Sequence, residues 1–206
     1  GGRKSDIARM DAVRQAVGAD VEVMLDANSG YDAPTAIAVG QHAEKLGVFW
    51  LEEPVVPDDF PGYRRIRNAL KGVRLAAGEG EFTVSGFRSL LEEGLLDVLQ
   101  PDIARAGGFT GCRRIAALAD AYNVAIAPHT GASGPVCIAA SLHFAAATPR
   151  FLTFEHMYIH NPLHEILARP LPQPKSGKIA VPTAPGLGIE LDEDAVKRFL
   201  RKGPAL

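Results

Sequence analysis

Three acidic residues recur at the same kind of position: Asp26 follows Val23-Met24-Leu25, Glu52 follows Phe49-Trp50-Leu51, and Glu79 follows Leu75-Ala76-Ala77-Gly78. Each stands at the carboxyl end of a short apolar run. If these runs are parallel strands of a barrel, their carboxyl ends converge on one face and the three carboxylates point into one mouth. Clustered like charges repel unless a cation neutralises them, and an all-oxygen donor set suits a hard ion such as Mg2+. Asp26, Glu52 and Glu79 are therefore a candidate metal site. The following runs end in Gln100-Pro101-Asp102, Ala127-Pro128-His129 and finally Glu155. An Asp bonded to one imidazole nitrogen fixes the tautomer and leaves the other nitrogen as a general base, so Asp102 and His129 form a candidate dyad. Glu155 would approach the same mouth and, held protonated beside a bound carboxylate, donate a hydrogen bond to developing negative charge. A single acid after a strand is commonly a helix N-cap. Repetition at successive strand ends is what argues for a shared site. Asn28 and Tyr31, just past a ligand-bearing strand end, are candidate substrate contacts, with a turn role as the alternative.

The elements that would position these residues alternate along the chain. Apolar residues at helical spacing over 6–17 (Ile7, Met10, Val13, Val17) precede a strand over 21–25. The same pattern predicts helices over 34–46, 59–70, 85–93, 109–122 and 134–147, and strands over 48–51, 74–77, 98–100, 124–127 and 151–154. The fold class is α/β. The short, mostly uncharged strands suit a parallel sheet covered by helices, and the lack of a glycine-rich phosphate loop after the first strand favours a barrel over a nucleotide-binding sheet. Gly107-Gly108 lacks the Lys-Ser/Thr ending of a phosphate loop and is read as a tight strand-to-helix turn. Past Phe154 a Pro-rich tail follows, with a short extension over 178–181 and a last helix from Asp192.

The 206 residues are 47% hydrophobic and 22% charged with a formal net charge of -2, which excludes a disordered or collagenous chain. No basic run offers a footprint for nucleic acid or an anionic membrane surface, and no apolar stretch approaches a bilayer span, so neither partner is expected. Cys112 and Cys137, without CxxC spacing, point to a reducing cytoplasm rather than a disulfide framework. His156, His160 and His164 have helical spacing, but Asn161-Pro162 breaks such a helix and discounts a transition-metal site. His143 is read as a core or interface histidine, His42 as solvent-facing, and Phe49 and Trp50 as core. The start, Gly-Gly-Arg-Lys-Ser-Asp, suggests a chain that begins part-way through something larger.

The runs Met24-Leu25-Asp26-Ala27-Asn28, Trp50-Leu51-Glu52-Glu53-Pro54, Ala77-Gly78-Glu79, Gln100-Pro101-Asp102 with Gly107-Gly108, Ala127-Pro128-His129 and Pro185-Gly186-Leu187-Gly188 resemble the enolase superfamily, in its mandelate racemase/muconate lactonizing enzyme branch. The resemblance covers essentially the whole chain. It implies a TIM-type (β/α) barrel in which Asp26, Glu52 and Glu79 hold Mg2+, Asp102 and His129 are the Asp-His dyad, and Glu155 stabilises the enediolate formed from a carboxylate substrate. The family's ligand corresponds to Glu52 rather than Glu53. Segments 52–57 and 160–163 resemble acid-sugar dehydratases, implying conversion of a sugar acid (aldonate or aldarate) to a 2-keto-3-deoxy acid. A racemase or epimerase, a lactone cycloisomerase and an inactive metal-binding barrel fragment are the alternatives. The resemblance also implies that the capping domain, the first two strands and the Lys-x-Lys base are missing, with Lys4 a solvated loop lysine. Residues 1–160 would form the partial barrel and 161–206 a segment wrapping it, in an enzyme expected to be a homo-oligomer.

Overall fold

The computed structural model describes residues 2–200. A parallel five-stranded sheet runs in chain order through β1 (Val23–Asp26), β2 (Val48–Glu52), β3 (Arg74–Ala77), β4 (Val98–Leu99) and β5 (Ala125–Ile126). Each strand is preceded by a helix: α1 (Arg3–Val17), α2 (Ala33–Lys45), α3 (Phe60–Ala69), α4 (Val84–Glu92) and α5 (Gly108–Ala121), with α6 (Pro135–Ala146) after β5. The in-order parallel pairing is that of a (β/α) barrel. Among the described residues no helix is long and apolar enough to cross a membrane.

Period-2 alternation gives the sheet two different faces. Leu51, Leu75, Leu99 and Ile126 are fully buried and pack with Val39, Ile66, Phe87 and Ile115 of the helices. On the opposite face Trp50, Ala76, Val98 and Ala127 form a smaller cluster. Glu52 follows Trp50 by two residues and shares its face, so the strand aims that carboxylate inward. Phe49, expected in the core, is half-buried and carries the Arg74 guanidinium 4.0 Å above its ring.

Local chemistry sets the helix starts. Asp32, Asp59, Thr83 and Asp192 each accept a first-turn backbone N–H, capping α2, α3, α4 and the last helix, α7 (Glu193–Phe199). At α5 the cap is Gly107, left-handed at φ 81°, and a Cβ on Gly111 would collide with the Ala106 carbonyl, so this strand-to-helix turn depends on glycine.

Further expectations need correction. α1 starts at Arg3 because Ser5 Oγ accepts the Gly2 amide at 2.9 Å, so Lys4 lies in the first helical turn rather than in a loop; it is exposed. His42 is half-buried and reaches Asp11 Oδ1 of α1 at 2.7 Å instead of facing only solvent. The sixth strand is reduced to one bridge between Ile126 and Phe151, and Phe151 and Leu152 remain 42% and 40% exposed. Its backbone bonds to the sheet are two, Arg150 O and the Leu152 amide to Ile126, so the pairing ends after a single residue.

The tail carries a 3-10 turn (Pro162–Ile166) and single antiparallel bridges, Leu167 to Leu191 and Lys175 to Lys178. The extension expected over 178–181 is thus one bridge, closed by Ser176 and Gly177 at φ 50° and 73°. His143 Nε2 meets the Leu187 carbonyl at 3.2 Å, which pins the tail to α6.

Candidate active site

The carboxyl ends of the strands bring the acids to one rim. Asp26 and Glu52 are register partners at the ends of β1 and β2. Asp26 accepts two donors from Asn28, the amide at 2.8 Å and the side chain at 2.6 Å. Trp50 Nε1 donates to Glu52 Oε2 at 3.1 Å. Burial, reinforced by the charges of Asp26, Glu155 and Glu79 and partly offset by Gln100, pushes the Glu52 carboxyl up to about 7. Glu53 is shifted upward as well, by burial and by Glu79.

After β3 the chain turns at Gly78, φ 137°, where a Cβ would stand 2.8 Å from the Phe87 ring and 3.0 Å from the Gln100 amide. Only glycine fits there, and the turn delivers Glu79 to the rim. Beyond β4 and β5, Asp102 and His129 form a parallel bridge and their side chains meet, His129 Nδ1 to Asp102 Oδ2 at 2.9 Å. His129 Nε2 faces Glu79 Oε2 at 3.0 Å. Burial works against both ionised groups, but their mutual hydrogen bond outweighs it. Asp102, helped by the Ala104 amide and Arg105, is held below the usual carboxylate range; His129, helped by Glu79 and Glu155, is held above the usual imidazole range.

Glu155 is anchored by Thr130, whose amide donates to Oε2 at 2.5 Å and whose hydroxyl donates to the Glu155 carbonyl at 2.6 Å. A Cβ on Gly131 would lie 2.7 Å from His129 Nε2 and 3.3 Å from Glu155 Oε1. The missing side chain leaves the imidazole and the carboxylate side by side.

The donor chemistry of Asp26, Glu52 and Glu79 fits a hard divalent cation: the groups are carboxylate oxygens, and burial, with neighbouring carboxylates adding to it, drives Glu52 toward its neutral form. Convergence is less complete than the spacing predicts. Among the described residues no three His, Cys, Asp or Glu side chains stand close enough to hold one ion. The reason is local, because Asp26 is tied to Asn28, Glu52 to Trp50 and Glu79 to His129, and like charges do not draw together. The same result applies to His156, His160 and His164, which share the lining of a cavity of about 300 Å³ between α6 and the tail without forming a ligand set.

Asn28 lies at the rim as a partner of Asp26. Tyr31 is turned elsewhere, its hydroxyl donating to Asp6 Oδ2 of α1 at 3.1 Å, and burial together with Asp6 raises the phenol to about 12. Arg105, Thr130, Gly131 and Trp50 are site residues that sequence reasoning missed. Arg105 donates to the Glu79 carbonyl at 3.0 Å and stands 3.9 Å from the carboxylates of Glu79 and Asp102. Its position three residues after Asp102 in a strand-to-helix turn was the available signal.

Comparison with known proteins agrees with the fold. The chain is 37% identical over 211 residues to the D-galactarolactone cycloisomerase of Agrobacterium fabrum (strain C58), covering 98% of this chain and 55% of that protein. It is 33% identical to the D-gluconate dehydratase of Thermoproteus tenax, covering 91% of this chain and 38% of that protein. The crystal structure of the 3,6-anhydro-D-galactonate cycloisomerase from Zobellia galactanivorans superposes with a TM-score of 0.90 at 35% identity, over 98% of this chain and 56% of that one. The chain thus spans about half the length, or less, of these relatives. A family model described as Enolase C-terminal domain-like matches residues 1–195, and with these relatives it shows that the chain belongs to that family, in the mandelate racemase/muconate lactonizing enzyme branch of the enolase superfamily.

Proposed function

We propose that the protein removes the proton α to the carboxylate of a sugar acid and expels the β-hydroxyl as water, giving an enol that ketonises to a 2-keto-3-deoxy acid. The observation that carries this reading is the His129 imidazole, fixed through Nδ1 by Asp102 at 2.9 Å with Nε2 at the rim, 3.0 Å from Glu79 Oε2. The Asp102 hydrogen bond selects the tautomer in which Nε2 accepts the α-proton, and it stabilises the imidazolium that results. Glu155, anchored through Oε2 by Thr130, has Oε1 left to hydrogen-bond the oxygen on which charge develops. Trp50 and Gln100, both buried, lie against Glu52, Trp50 through its Nε1–H and Gln100 through a side-chain hydrogen bond. Mg2+, held by Asp26, Glu52 and Glu79, would supply positive charge at the substrate carboxylate and so acidify the α-proton.

Relatives named as cycloisomerases favour a second reading, in which the same base acts on a lactone. Under both readings the substrate is a small carboxylic acid or its lactone. The protein would work in the cytoplasm as a homo-oligomer, with 1–160 as the catalytic barrel and 161–206 wrapped on it.

A screen of sugar acids and lactones with Mg2+, scoring 2-keto-3-deoxy product, tests the proposal with His129→Asn alongside. Product from an acid, abolished in the variant, is expected. Solvent deuterium incorporated at the α-carbon without dehydration would point to a racemase instead. An unaffected His129→Asn variant would remove the imidazole from the mechanism.

A further inference from the structure

Three residues at the rim hold backbone conformations that side chains resist: Asn28 (φ 45°), Ser29 (φ 57°) and Glu53 (φ 36°) are all left-handed. Such conformations persist in non-glycine residues where the surroundings over-determine them. These residues face each other across neighbouring strand ends. The Ser29 amide donates to the Glu53 carbonyl at 2.8 Å, and Ser29 Oγ donates to Glu53 Oε2 at 3.2 Å. The other carboxylate oxygen, Oε1, lies beside Gly80, where a Cβ would stand 3.7 Å away; the Gly80 backbone approaches the carboxyl without closing a full hydrogen bond on Oε1. Glu53 is only 5% exposed. A buried, half-satisfied carboxylate weakens a fold, so it is retained where its position serves another purpose.

We propose that Glu53 is a positioning residue whose carboxylate ties the end of β2 to the turns after β1 and β3, and so sets where Asp26, Glu52 and Glu79 stand. It acts through its hydrogen bonds to Ser29 on one side and through the looser approach of the Gly80 backbone on the other. Both partners lie within three residues of a candidate ligand, so the tie is short enough to transmit position. Glu53 itself is not a ligand in this arrangement. Its backbone φ and its Ser29 bond turn its side chain to the turns that flank the mouth, while Glu52 keeps the inward face of the strand.

The test uses Glu53→Ala, Glu53→Gln and Ser29→Ala in the whole protein, with two readouts. Hydrogen–deuterium exchange without metal reads the tie directly, and calorimetric titration with MgCl2 reads its consequence, the one part that rests on the Mg2+ reading above. Glu53→Ala is expected to speed exchange in segments 26–31 and 78–83, leave β4 and β5 unchanged, and weaken Mg2+ binding about 10- to 100-fold, as loss of a group behind metal ligands does. Glu53→Gln, which keeps an oxygen for Ser29, should bind within about threefold of the parent. Ser29→Ala should fall between the two, and it carries the test if Glu53→Ala does not fold. Unchanged exchange in both Glu53→Ala and Ser29→Ala overturns the tie whatever the metal does. Mg2+ binding lost equally in the Gln and Ala variants, with parental exchange in Gln, would make Glu53 a ligand and overturn its positioning role. A parent that takes up no Mg2+ while the exchange pattern holds removes the metal reading and leaves the tie standing.

Discussion

The two sides of the mouth are built on opposite electrostatic plans. Along β4 and β5 unlike charges meet: His129 lies between Asp102 and Glu79, with the Arg105 guanidinium outside both. Along β1 and β2 only carboxylates line the rim, and each takes the nearest neutral donor: Asp26 takes Asn28, Glu52 takes Trp50, Glu53 takes Ser29. Where the chain supplies both signs, contacts close on folding. Where it supplies one sign, the fold sets approximate distances, and the proposed Mg2+ would offset the repulsion.

Removing the imidazole gives the largest effect and separates the two sides most sharply. In His129→Asn the general base is gone, and turnover should fall by about 10²- to 10⁴-fold. Mg2+ binding, measured by calorimetry, should hold or strengthen, because Glu79 no longer faces a competing imidazole. Loss of Mg2+ binding together with turnover would show the two sides to be one coupled unit.

Glu52→Gln acts in opposite directions with and without metal. Burial and three neighbouring carboxylates raise Glu52 to about 7, so at pH 8 its charge opposes folding; the neutral amide should stabilise the metal-free protein by on the order of 2 kcal/mol, a rise of several degrees in Tm. Mg2+ affinity should fall sharply in the same variant. Parallel melting curves with EDTA and with Mg2+ check both signs, and a variant less stable than the parent in EDTA breaks the like-charge description.

Titration distinguishes the sides without mutation. The folded chain binds the Glu52 proton more tightly than the unfolded chain does, so this contribution is lost as pH rises from about 4.5 to about 7. His129 is also raised, and its contribution, complete below about 6.5, disappears as pH climbs through its folded value. Asp102 is depressed, so its contribution is present above its ordinary value near 3.8 and fails only on acidification. Metal-free Tm should therefore fall between pH 6 and pH 8, and saturating Mg2+ should remove the Glu52 part of that slope. A metal-free Tm that rises over this range contradicts both assignments.

The same contrast explains what could be read in the sequence. Asp26, Glu52 and Glu79 were legible because each ends a short apolar run, and Asp102 and His129 because their runs neighbour each other in the sheet. The sixth strand was over-read, since the composition of 151–154 reports apolar character but not how many of its residues meet a neighbouring backbone. Tyr31 misled through proximity along the chain: its hydroxyl is claimed by Asp6, a contact that exists only once α1 packs on the sheet. Ser29, Thr130 and Gly131 were invisible for a related reason. Their roles depend on left-handed turns and on close approaches between loops, and neither leaves a periodic signal.

Gly131→Ala probes the gap beside the base. The added methyl would start 2.7 Å from His129 Nε2, closer than such contacts tolerate, so the ring or the loop must shift. A displacement of this kind near the reacting atoms should lower kcat by about 10- to 100-fold. The Asp102–His129 bond lies on the far side of the ring, so Tm should change little.

Arg105 gives the smallest effect and the finest distinction between the sides. Its guanidinium is half-exposed and 3.9 Å from each carboxylate, so the ion pairs themselves contribute less than about 1 kcal/mol and weaken in salt. Its firmer contact is the 3.0 Å hydrogen bond to the Glu79 carbonyl, which a glutamine amide can reproduce. Arg105→Gln should therefore keep the Tm and lose less than tenfold in turnover, while Arg105→Ala should lose more, because the backbone that presents Glu79 is then untied. Equal losses in the two variants, abolished for both by raising the ionic strength of the assay, would show that charge is the operative property of Arg105 and that the unlike-charge plan reaches the edge of the mouth.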